Sequence, residues 1–238
     1  MRTLGIVGGI GPEATLDYYK SLMDLHREQN PEADPPSIII NSINLKKAIA
    51  LVTANRLHEL AFFFVEEIHK LAKAGADFGL LAANTPHIVF DEIAANSPIP
   101  LISIVEATRD EAKRRGLKRV GLLGTRFTMK ASFYPEVFAR ENMEIRVPND
   151  LDQDYIHEKY FGELVKGIFL DETRAELTAI IQRMTERDDI QAVILGGTEL
   201  PLILRAEEVA GVPLLDTTQI HVRAALDELA AGSAKPAL

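Results

Sequence analysis

Short, nearly continuous runs of Val, Ile and Leu recur along this chain, each bounded by glycine, proline or polar residues and separated from the next by a longer helical pattern. They are TLGIVGG (3–9), SIIINS (37–42), FGLLAA (78–83), LISIV (101–105), RVGLLGT (119–125), EIRVP (144–148), AVILGG (192–197) and VPLLD (212–216). Runs of this kind suit strands buried on both faces rather than strands with one wet side. The stretch NRLHELAFFFVEEIHKLAKAG illustrates the helices, with Leu57, Leu60, Ala61, Phe64, Ile68 and Leu71 on one stripe and Gly75 past the end. Strands alternating with helices predict an α/β fold with mostly parallel sheets and right-handed crossovers.

An internal echo predicts two lobes. GIVGGIGPEATLDYYKSLM near the start resembles GLLGTRFTMKASFYPEVFA from Gly121 onward, and LLAANT resembles ILGGTE, with about 75 residues between the two motifs in each half. A chain of 238 residues accommodates two units of roughly 100 to 150 residues. The expected arrangement is two pseudo-symmetric lobes, residues 1–98 plus 208–238 and residues 99–207, each a mostly parallel sheet flanked by helices. Ligands of open α/β sheets bind at the carboxyl ends of strands, so the site is expected in a cleft between the lobes.

Composition narrows the chemistry. The net charge of −9, from 35 acidic and 26 basic residues, opposes nucleic acid and anionic bilayers as partners, while a local pocket can still hold one small anion. No apolar run approaches the length of a membrane span, and MRTLGIVGGIG reads as a strand and a glycine turn rather than a leader, so a cytoplasmic protein is expected. The chain has no cysteine, which removes disulfides, thiolate metal sites and thiol nucleophiles together.

GIVGGIGPEA offers glycines after a strand, but SIIINSIN places Asn41, Ser42 and Asn44 where a dinucleotide site needs an acidic residue. Backbone freedom is the simpler reason for those glycines. His26, His58, His69, His87, His157 and His221 show no metal-ligand spacing, so no metal is expected. His87 follows Thr85 by two residues at the start of a helix, as a backbone-bonded ring or as a proton carrier. The run NDLDQD (149–154) reads as a solvated helix start.

Two turns carry the stronger signal. Asn84-Thr85 and Thr198-Glu199 each close a strand and open a helix, presenting hydroxyl, amide and backbone N–H groups suited to a carboxylate. Each Thr alone serves equally well as a helix cap; the repetition in both halves favours the ligand.

GIVGGIGPEATLDYY, AANTPHIVFDEI, GLLGTRFT and ILGGTELPL resemble the aspartate/glutamate racemase superfamily, whose members read roughly G-G-M-G-P-x-A-T, C-N-T-x-H, G-L-L-x-T and G-C-T-E-I-P-L at those places. The resemblance spans nearly the whole chain in order. It implies a two-lobed α/β enzyme, often a homodimer, acting without cofactor on small carboxylate-bearing amino acids. In the family two facing cysteines remove and return the α-proton. Here Ala83 and Gly197 stand at those positions, and neither carries a proton to exchange. Two-cysteine racemisation is therefore not expected.

The same resemblance implies substrate-binding roles for Gly8, Gly9, Asn84, Thr85, Thr125, Thr198 and Lys166, the last meeting a distal carboxylate; Lys47 lies near another basic position of the family. Glu199 and His87 are the candidate replacement acid/base groups. Three activities follow: an amino-acid racemase or related isomerase with reassigned proton transfer, a cofactor-free lyase or decarboxylase, and a non-catalytic binder of small carboxylates.

Overall fold

The computed structural model describes residues 2–231. Among the described residues nine strands form two sheets: β1 (Thr3–Gly8), β2 (Ser37–Ser42), β3 (Phe78–Leu81), β4 (Leu101–Ile102), β5 (Arg119–Gly124), β6 (Glu144–Arg146), β7 (Ala192–Gly196), β8 (Glu208–Val209) and β9 (Val212–Asp216). The first sheet runs β2-β1-β3-β4, all parallel. The second runs β6-β5-β7-β9-β8, parallel except for the β8-β9 pair.

The chain divides into two compact units, one running to Ile104 and resuming at Thr218, the other Val105–Thr217. These bounds correct the expected ones, 98/99 and 207/208. β4 pairs with β3, which keeps residues 99–104 in the first unit, and β9 pairs with β7, which keeps 208–216 in the second. Met1 and residues 232–238, placed by sequence in the first lobe, lie outside the described residues.

Burial accounts for the central strands only: β2 and β6, expected to be buried on both faces, lie at the sheet edges and are partly exposed, Ile40 among them. β3 and β7 are buried along their whole lengths, as their unbroken apolar sequences require. In the first unit Leu4, Ile6, Phe78 and Leu80 pack with Tyr18 and Leu22, and with Val222, Ala225 and Leu226 of the helix Thr217–Ala231. In the second, Leu123, Val193 and Leu195 pack with Ile156, Tyr160, Leu177, Ile180 and Ile181. Each such side chain contributes about 1.5–3 kcal/mol on burial.

Both units lay down a strand, add the next on one side, and return to the other side of the first. That reversal creates a switch point between β1 and β3, and again between β5 and β7. Register then aligns the strand ends, Val7 with Leu81 and Gly124 with Gly196. The turn after β1 thus lies beside the turn after β3, and the turn after β5 beside that after β7.

Local differences from the sequence reading have plain causes. LISIV shortens to Leu101–Ile102 because helix Ile104–Arg114 begins at once, and EIRVP ends at Arg146 ahead of Pro148. β8 was not foreseen; it closes on β9 through Ala210 and Gly211, whose φ values of 53° and 74° fit a two-residue hairpin turn.

Candidate functional site

At the end of β1 the backbone turns through Gly8 and Gly9. Gly9 has φ 73°, and a Cβ there would stand 2.4 Å from Ser42 Oγ. A Cβ on Gly8 would stand 2.6 Å from Thr15 Cγ2. Thr15 holds this turn: its Oγ1 accepts from Gly9 N at 2.8 Å and donates to Gly11 O at 3.0 Å. Thr15 lies in the GPEAT motif, and its supporting role depends on a contact with Gly9 that the sequence pattern does not display.

In the neighbouring turn, Ala83 and Asn84 are buried and Thr85 is half-buried. The expected helix after Asn84 is at first a 3-10 turn, Thr85–Val89, with the α-helix starting only at Phe90. In the second unit, Leu200–Ile203 is a single helical turn.

His87 is buried, with its ring stacked on Phe90 at 4.6 Å, and its Nε2 accepts from Ile104 N at 3.3 Å. Nδ1 has no hydrogen-bond partner. Burial, and secondarily the nearby His221, push its pKa down to about 3; the carbonyls of Ala83 and Asn84 oppose this without cancelling it. At neutral pH it is an uncharged ring that tethers the start of the next helix. His221 is held similarly, accepting from Tyr18 Oη at 2.9 Å through Nδ1 and donating from Nε2 to Ile102 O at 3.0 Å, and burial lowers its pKa to about 4.

In the second unit Thr125 follows β5 and caps the helix Arg126–Lys130, its Oγ1 accepting from Thr128 N at 3.2 Å. Beside it, the turn after β7 places Thr198 and Glu199 in full burial. Glu199 Oε2 accepts from Thr198 Oγ1 at 3.2 Å and from the hydroxyl of Tyr160. Tyr160 comes from the helix Asp150–Gly162, started by Asn149, whose side chain accepts from Asp152 N at 3.0 Å. The NDLDQD run is therefore the helix start read from sequence.

Tyr160 is the residue that sequence reasoning overlooked. A Cβ built on Gly197 would stand 2.5 Å from its Cε2 and 2.9 Å from its hydroxyl oxygen. The phenol fills the volume that a side chain at position 197 would need. Burial and the adjacent Glu199 carboxylate hold its hydroxyl pKa far above the ordinary value, so Tyr160 is protonated and donates to Glu199. Nothing in the local sequence links positions separated by 37 residues; the one clue was a glycine where the motif has a side chain.

Both candidate lysines are exposed. Lys166 is exposed on the 3-10 turn Leu164–Lys166, which Gly167 ends with φ 72°. Lys47 is exposed with Nζ 4.6 Å from the Phe63 ring centre, beside a cavity of about 440 Å³ lined by Leu51, Phe62, Glu66 and Glu67. That cavity sits against helices Leu45–Thr53 and Leu57–Lys73, not at the strand ends. Among the described residues no group of three His, Asp or Glu side chains is placed to hold a metal ion, and no helix is long and apolar enough to cross a membrane.

Known proteins share this arrangement. An aspartate racemase homologue from Pyrococcus horikoshii OT3 is 35% identical, with 97% of this chain and 100% of that one covered and a TM-score of 0.81. A Picrophilus torridus aspartate racemase has the same fold, with a TM-score of 0.79 at 22% identity over 97% and 95% of the two chains. The broad specificity amino-acid racemase RacX of Bacillus subtilis (strain 168) is 24% identical, covering 90% of this chain and 92% of its own. Residues 7–225 match the profile of the Asp/Glu/hydantoin racemase family, taking in all four of these turns and the helices between them, and the chain belongs to that family.

Proposed function

We propose that this protein exchanges the α-proton of a small carboxylate-bearing amino acid without a cofactor, as an isomerase-type enzyme of its family. The observation that carries the reading is the match of residues 7–225 to the racemase family, which includes the buried polar turns Asn84-Thr85 and Thr198-Glu199. In the first unit Asn84 and Thr85 offer hydroxyl and amide groups to a carboxylate and Gly8 and Gly9 allow it close backbone approach; in the second, Thr198, Thr125 and Lys166 are the corresponding candidate contacts. A buried carboxylate, Glu199, is better suited to accept a proton than His87, whose pKa of about 3 leaves it a weak base. A homodimer, implied by the family resemblance, is proposed as the working form, in the cytoplasm as the sequence alone suggests.

The alanine and glycine at the cysteine positions favour a second reading, a cofactor-free lyase or decarboxylase, in which stabilising negative charge matters more than a matched pair of bases. Both are tested by incubating the protein with both enantiomers of aspartate, glutamate and other amino acids in heavy water. The first reading expects α-deuterium uptake. Loss of CO2 or of a leaving group supports the second. Thermal stabilisation by aspartate, malate or citrate with no chemistry identifies a non-catalytic carboxylate binder.

A further inference from the structure

Gly197 is not empty space. An ideal Cβ at that position falls 2.5 Å from Tyr160 Cε2, 2.9 Å from its Cζ and 2.9 Å from its hydroxyl oxygen, so the end of the phenol occupies the side-chain volume that the glycine vacates. That hydroxyl is bonded to the Glu199 carboxylate, which also receives Thr198 Oγ1 at 3.2 Å. The ring is locked from behind by the second unit's core and edge-on by Phe161, 5.6 Å between centres. A polar, proton-bearing group with a carboxylate behind it therefore stands where the turn after β7 lacks one.

We propose that Tyr160 and Glu199 form a proton relay that replaces the missing side chain at position 197, with the Tyr160 hydroxyl touching the substrate's α-carbon. This inference rests on the α-proton reading of the site given above.

The step balances without an ionised phenol. The substrate Cα–H bond breaks and its electron pair stays on the substrate, delocalised into the carboxylate. A new O–H bond forms on Tyr160 while its original proton passes to Glu199. The reverse motion returns a proton to carbon. Because desolvation and Glu199 both oppose a phenolate, the two transfers are concerted. Ala83 carries no exchangeable proton, so the relay by itself serves one substrate face: one enantiomer exchanges its α-hydrogen with retention, and inversion needs a second proton donor, such as a held water, on the other face.

The test compares α-deuterium uptake by each enantiomer for the wild type, Tyr160→Phe and Glu199→Gln. Tyr160→Phe keeps the ring against Gly197 and removes only the hydroxyl. Its uptake is expected to fall ~100-fold or more, with KM for the exchanged enantiomer within a few-fold, and thermal unfolding checks that the variant is folded, since the buried Glu199 carboxylate loses a donor. Glu199→Gln is expected to fall as far, and the double variant no further, because a relay acts as a unit. A structural Tyr160 would leave the exchange rate intact. Wild-type exchange that survives in Tyr160→Phe overturns the relay and leaves the functional reading standing. Absence of exchange from every substrate in the folded wild type overturns both.

Discussion

The phenol of Tyr160 and the hydrogen side chain of Gly197 form a complementary pair: the ring edge approaches so closely that no Cβ fits between them. A cysteine introduced at position 197 thus meets an occupied volume, whereas Ala83 already carries a Cβ. Gly197→Ala and Gly197→Cys are expected to cost about 1–3 kcal/mol by overpacking, because Tyr160 is a core residue held by Glu199. Tyr160→Ala is itself costly, but in that background each position-197 substitution should cost less, giving a coupling well above the few tenths expected of independent sites. Urea unfolding of the two single variants and the double variant measures it; additive costs would show that the ring moves aside freely.

The turn after β1 gives a second expectation. Gly9→Ala forces φ 73° on a residue with a Cβ and drives that Cβ against Ser42 Oγ and the Ile43 backbone nitrogen, 2.9 Å away. A cost of about 1–3 kcal/mol follows. Thr15→Val removes the acceptor of Gly9 N and should cost ~1–3 kcal/mol, while Thr15→Ser keeps the hydroxyl and should cost less. Chemical denaturation ranks the three, and a Thr15→Val as stable as Thr15→Ser would show that the hydroxyl does not pin the turn.

Much of this architecture was legible because it is local. The stripe Leu60, Ala61, Phe64, Ile68 and Leu71 is buried as the helical period requires, and Gly75 follows the helix with φ 101°. The buried strands announced themselves by continuous aliphatic sequence. What failed was set at a distance or by competition. The unit boundaries depend on β4 and β9 choosing partners, which composition does not reveal. Ile104 could continue a strand or start a helix, and packing decided for the helix. Tyr160 looked like one more apolar position on a helix beside Phe161; its role depends on a contact with Gly197 that only tertiary structure creates.

Thr125 supplies a third prediction. Its hydroxyl accepts from Thr128 N and lies 3.2 Å from Thr128 Oγ1, so it caps the short helix that follows β5. Thr125→Ala should cost about 1 kcal/mol and Thr125→Ser only a few tenths. A silent Thr125→Ala in equilibrium unfolding would mean that the five-residue helix Arg126–Lys130 is held by packing alone.

The buried histidines make stability depend on pH in a direction the structure fixes. His87 and His221 are fully buried and neutral, with pKa values lowered mainly by desolvation to about 3 and about 4. In the unfolded chain each returns to an ordinary value near 6.5. The folded state then binds fewer protons than the unfolded state between those limits, so stability is full above about pH 6.5 and falls as the solution is acidified. Each ring contributes a slope of about 1.4 kcal/mol per pH unit in that window, so about 4 kcal/mol should be lost between pH 7.5 and pH 5. Glu111, held down to about 2 chiefly by its hydrogen bond from Arg114, adds its loss only below about pH 4.5 and does not confuse the measurement. Urea unfolding across this range should show the decline, and His221→Gln should roughly halve its slope. A flat profile from pH 7.5 to 5 would mean that both rings take up protons without leaving their places in the fold.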